Sequence, residues 1–133
     1  MAYKRKSIVD LLSVDVEVKD ENGNPTGMVV TLAGPEHQTR KNFEFAQQRK
    51  MRNALQKTGK IELADPLDDE LDGIEKLALC SLGWKDYVDD EGKQIPFSPT
   101  EAQKAYTDEP WMRKFLLKAL NENERFIKSS VAS

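Results

Sequence analysis

Val14, Val16 and Val18 alternate with Asp15, Glu17 and Lys19, and nothing after Gly34-Pro35 repeats that pattern. A period of two gives a strand one apolar and one wet face, so the chain opens with a half-buried β segment. Residues 20–27 (DENGNPTG) are dense in turn formers and 28–33 (MVVTLA) are β-rich again. Residues 14–33 therefore read as a β-hairpin with a long loop. Two strands alone are marginal in water, so this hairpin must pack on a helix or pair with another strand, its neighbour in an oligomer included. Upstream, residues 7–12 suggest a short helical turn with Ser7 as its cap.

After Gly34-Pro35 the pattern turns helical. Pro35 suits a first helical turn, where its missing N–H would have no partner anyway. Residues 35–57 predict a helix with a thin apolar stripe of Phe43, Ala46, Ala54 and Leu55, ended by Thr58-Gly59. Ile61 and Leu63 suggest a brief extended segment. A second helix is expected over 66–82, capped by Asp65, with Leu67, Leu71, Ile74, Ala78 and Leu82 as its core face and Gly83 as terminator. Ser98-Pro99-Thr-Glu101 is a capping-box start for a helix over 98–107. A last helix is expected over 109–127, carrying Trp111, Met112, Phe115, Leu116, Ala119 and Leu120. The expected fold is thus α+β and helix-dominated, with an N-terminal hairpin, about four helices and one domain spanning residues 1–133.

Composition narrows the function classes. At 133 residues the chain can bury roughly two-thirds of its unfolded surface. Hydrophobic residues are only 38% and charged ones 32%, which points to a small core, much exposed helical surface, or an apolar face kept for a partner. A net charge of -3 gives no global bias toward nucleic acid or anionic membrane. The lone Cys80 needs no oxidising compartment. The N-terminal apolar patch is broken by Asp10 and Asp15, unlike a secretory signal. No run nears the roughly 18 apolar residues of a membrane span. A cytoplasmic protein is the expectation.

Candidates for chemistry are few. His37 and Cys80 are the only soft ligands and the only nucleophile–base pair on offer, and they read as an exposed histidine and a core thiol. They are too few for a structural zinc site. Asp68, Glu70, Asp72 and Gly73 fit the start of a calcium loop, but its closing position holds Leu79 where a bidentate Glu is required. Asp20, Asn22 and Asn24 fit a second start, with Pro25 where the glycine must be. No phosphate-binding glycine loop is present. No catalytic residue, cofactor or metal is therefore expected, and the chain reads as a non-enzyme.

The charges are sorted along the sequence. Arg40, Lys41, Arg49, Lys50, Arg52, Lys57 and Lys60 are followed by Glu62, Asp65, Asp68, Asp69, Glu70, Asp72 and Glu75. Neighbouring helices could attract each other this way, or the basic face of one subunit could meet the acidic face of the next in a homo-oligomer. A basic helix for nucleic acid is the less favoured alternative, because aromatics are not interleaved with the cations beyond Phe43 and Phe45. The charge-pairing candidates are Arg40, Arg49, Arg52, Asp68, Asp69 and Asp72. The candidates for gripping a partner are Trp84, Phe97, Trp111, Met112, Phe115 and Leu116, since tryptophan is enriched at binding hot spots.

The order of hairpin, Gly-Pro-led basic helix, acidic helix and then Gly-Trp…Asp-Glu-Gly-Lys…Pro-Phe-Ser-Pro-Thr-Glu…Glu-Pro-Trp resembles the small tail assembly chaperones of long-tailed bacteriophages and prophages. The segments 18–27 and 30–35 are similar to the start of that family, and the likeness runs from about residue 8 to about 120. The resemblance implies an α+β fold without enzymatic activity. It implies binding of the long, helical tape measure protein, which is kept soluble until tail tube subunits polymerise around it. A structural tail or head-completion protein retained in the virion is the other phage reading.

Overall fold

The structure, a computed structural model, describes residues 8–58 and 66–129. The hairpin forms as β2 (Ser13–Lys19) and β3 (Pro25–Ala33), following a short β1 (Ile8–Asp10). Val16 and Val18 are buried while Asp15, Glu17 and Lys19 are exposed, as the alternation predicts. Helices α1 (Gln38–Thr58), α2 (Pro66–Cys80), α3 (Pro99–Asp108) and α4 (Pro110–Asn121) follow, so the α+β expectation of a hairpin and four helices holds.

The hairpin finds its further strand within its own chain. Residues 81–82, expected as the end of a helix, belong instead to β4 (Ser81–Lys85), and the sheet runs β2-β3-β4, all antiparallel. Val30 pairs with Trp84, and Thr31 with Gly83. Leu32 then pairs with Ser81, so Leu82 is an extra residue, a bulge, which turns its side chain outward. Gly83 terminates nothing; it lies inside the strand.

Residues 8–10 are also extended rather than helical. They pair with β5 (Ile127–Ser129), which begins at the last residue of the helix expected over 109–127. α4 stops at Asn121, and a 3-10 turn (Asn123–Phe126) leads into β5. Leu11 N–H donates to the Phe126 carbonyl at 2.6 Å, and Gly34 N–H to the Leu12 carbonyl at 2.8 Å. Gly34 is required there: a Cβ would lie 2.5 Å from the Leu11 oxygen and 3.0 Å from the Phe126 ring. α1 starts three residues later than Pro35 suggested, because His37 N–H turns back to the Gly34 carbonyl first. The expected extended segment at Ile61 and Leu63, and the cap at Asp65, lie outside the described residues.

One turn is used twice. In Asp20–Asn24 and in Asp89–Lys93 the leading Asp Oδ1 accepts two backbone N–H groups, two and four residues on. The fourth residue is a glycine at positive φ, Gly23 at 81° and Gly92 at 78°.

The buried residues form one cluster between the inner face of the sheet and the helices α2, α3 and α4. Ser98 caps α3 by accepting the Glu101 N–H at 3.1 Å. On α2 the core face is Ile74, Leu77, Ala78 and Cys80; Ile74 and Ala78 are buried as the spacing predicts, whereas Leu71 is exposed. Polar groups inside are paired. Ser81 Oγ donates to the Leu77 carbonyl at 2.7 Å, and Tyr106 OH lies 2.7 Å from the same Oγ. With the serine proton committed, Tyr106 is the donor. Arg113 donates to the Tyr106 carbonyl and to Glu70 Oε1, both at 2.8 Å, tying α4 to α3 and α2.

Candidate interaction surface

The aromatic segment is held by its own chain. Trp84 lies on β4, and its Nε1–H donates to the Ile95 carbonyl at 2.8 Å. The Tyr87 and Phe97 rings meet it edge-on, each with centroids 5.0 Å away. Tyr87 OH donates to Glu109 Oε2 at 2.7 Å. Burial, then that bond to the carboxylate, holds the Tyr87 phenol well above its usual pKa. The cluster thus clips the loop after β4 onto the entry to α4. Trp84, Phe97, Trp111 and Phe115 are half-buried against the core. Met112 and Leu116, expected to grip a partner, are closed to it: they are 1% and 0% exposed because they fill the core under the sheet.

The large apolar side chains that face solvent lie elsewhere. On α1, Phe45, Met51 and Leu55 are exposed, Met51 by 64%. On α2, Leu71 is 55% exposed and Leu79 41%. Leu12, Leu82 and Val88 are exposed singly on other elements. The first half of α1 holds a buried anchor and the second half is exposed. Arg40 is buried, whereas every residue from Gln48 to Lys57 is exposed. The sequence contained this signal: the inward stripe of α1 runs Arg40, Phe43, Gln47 at helical spacing, too polar to continue a core.

Arg40 is also no outward charge. Its guanidinium donates to the Ala33 carbonyl and to Glu44, each at 3.2 Å, and lies 5.7 Å from the Phe126 ring centroid. It fastens α1 to the end of β3. Arg49, Arg52 and Asp69 are exposed and Asp72 is half-buried; the side chain of Asp68 lies outside the described set. Among the described residues the ion pairs are Arg40–Glu44, Lys41–Glu36, Arg113–Glu70 and Arg125–Glu122, and none joins α1 to α2. Arg49, Lys50, Asn53 and Lys57 line an open groove along α1. Another groove, of about 430 Å³, runs between the helices, where Phe43, Glu44, Gln47 and Gln48 face Asp72, Gly73 and Lys76.

The reactive groups are occupied by the fold. His37 Nδ1 accepts the Thr39 N–H at 3.2 Å. Cys80 is fully enclosed, and burial pushes its thiol pKa up, partly opposed by Arg40. Among the described residues, no group of three or more His, Cys, Asp or Glu is placed to hold a metal ion, and no helix is long and apolar enough to cross a membrane. No family model, curated protein or solved structure matches the chain. The arrangement offers two helical faces with greasy centres and charged borders, suited to covering a complementary surface.

Proposed function

We propose that this chain is a non-enzymatic tail assembly chaperone of the long-tailed phage type, acting in the bacterial cytoplasm. It covers the elongated, helical tape measure protein and hands it over when tail tube subunits polymerise. The observation that carries the reading is the exposed second half of α1 together with the exposed leucines of α2, large apolar side chains left in water outside the buried cluster. The family resemblance of residues 8–120 supports the same reading. A partner that must later be released is best held by many modest contacts, and Met51 adds an adaptable one.

Co-expression with a tape measure protein tests it. The wild-type chain is expected to keep that protein soluble and co-purify with it, and the Met51→Glu/Leu55→Glu double variant to lose it while remaining folded. Mass spectrometry of purified virions separates the chaperone from a retained structural protein: finding the chain there would favour the latter. The groove lined by Arg49, Lys50, Asn53 and Lys57 favours one further reading, a nucleic-acid binder. A salt-sensitive shift of labelled DNA would support it, and no binding at low salt would remove it.

A further inference from the structure

Two exposed faces of this molecule have opposite charge and similar apolar centres. Between Phe45 and Lys57, α1 carries Arg49, Lys50, Arg52 and Lys57 and no acidic residue. Met51 and Leu55 are one turn apart, so they share a face within that basic surface. On α2, Leu71, Glu75 and Leu79 recur every fourth residue and all three are exposed. Exposed Asp69 and half-buried Asp72 lie on the same helix, whose one cation, Lys76, is half-buried beside α1.

The sequence left two ways to satisfy these charges, within the chain or between chains. Among the described residues the exposed charges of these two faces do not use the first; the only charged residues lining the groove where α1 meets α2 are Glu44, Asp72 and Lys76. α1 meets α2 through the sides bearing Gln47 and Asp72–Lys76, and at about 100° per residue Leu71 and Glu75 lie more than a quarter-turn around α2 from Lys76, with Leu79 nearer the edge of that contact. Among the described residues no ion pair spans the two helices.

We infer that in the free protein the second half of α1 docks on the outer face of α2 of a second copy, and reciprocally, in a two-fold dimer. Met51 and Leu55 lie against Leu71 and Leu79, and the basic border of one copy meets the acidic border of the other. The charges choose this pairing: α1 on α1 would set cation against cation, and α2 on α2 acid against acid. A two-fold axis makes both contacts at once and closes the assembly. The inference does not require the chaperone reading, because the isolated chain alone tests it.

The test is the mass of the purified full chain by sedimentation and light scattering over a range of concentration and salt. The wild type is expected to be a dimer at low ionic strength and to dissociate more readily, by about tenfold or more, near 1 M salt, where the screening length falls to about 3 Å. Arg49→Glu/Arg52→Glu and Asp69→Lys/Glu75→Lys are each expected to be folded monomers. Mixed in equal amounts they are expected to regain the dimer mass, since each contact then joins an acidic to a basic face. A wild type that stays monomeric, folded variants that still dimerise alone, a mixture that fails to associate, or a mass above two copies would overturn the arrangement. Should a charge-reversed chain fail to fold, Leu55→Ser and the salt titration of the wild type decide: no weakening by either sinks the inference. A wild type that captures a tape measure protein but never dimerises would overturn only this inference, and one that dimerises but fails to capture would overturn only the chaperone reading.

Discussion

α4 and the second half of α1 are helices of similar length put to opposite uses. α4 buries Met112, Arg113, Leu116, Ala119 and Leu120, a full inward face at helical spacing. From Gln48 to Lys57, α1 buries nothing. The difference shows where each helix gets its stability. α4 is held by burial. The second half of α1 is held by strong helix formers, Gln, Arg, Lys, Met, Ala and Leu, growing from a first half already nucleated and pinned by Arg40. Of the aromatic and apolar residues that look stickiest in the sequence, Met112 and Leu116 are buried in the core and Trp84, Phe97, Trp111 and Phe115 half-buried against it, while Met51 and Leu55 stay exposed on a charged helix.

That contrast can be broken by measurement. Leu116→Ala should destabilise the protein by about 2–5 kcal/mol in urea unfolding, because it empties a fully enclosed site; a mild effect would mean that α4 is not the anchored helix. Burial raises the Tyr106 phenol from 10.0 to about 12, the Ser81 contact opposing slightly. Between those values the unfolded chain loses the proton and the folded one keeps it, so stability should fall as pH rises through that window by about 2–3 kcal/mol. Stability measured at pH 9 and pH 11.5 should show the drop, and Tyr106→Phe should shrink it. Arg113→Ala should cost about 1–3 kcal/mol, since the buried Tyr106 carbonyl loses its donor while Glu70 returns to solvent. Leu55→Ala should change stability by less than about 0.5 kcal/mol, because its surroundings are already water. A larger loss in dilute monomer would move Leu55 to the docked side of the comparison.

The sequence was legible where one local rule decided the outcome. The Val14–Val18 alternation, the turn glycines and the Ser98 cap each act within a few residues, and each appears as read. β4 was not legible, because SLGWK continues the preceding helical spacing and becomes a strand only by pairing with β3. β1 and β5 are three residues each and exist through a contact between distant parts of the chain. On α2, Leu71 and Ile74 both step at helical spacing, and only the position of the sheet makes Ile74 the inner one. Two of the six grip candidates, Met112 and Leu116, are buried for the same reason: composition identifies them as apolar but says nothing of which side they face.

The β1–β5 ladder has a mechanical consequence. Ile8 lies opposite Ser129, Val9 opposite Lys128 and Asp10 opposite Ile127, so a load drawn outward on residues 8 and 129 opens one rung at a time rather than shearing all three. Force would pass through this weak zipper quickly and arrive at Leu11 and Phe126, where the Gly34 crossing and the buried ring form the first firm knot. In a pulling experiment the molecule should yield a short, soft extension and then resist.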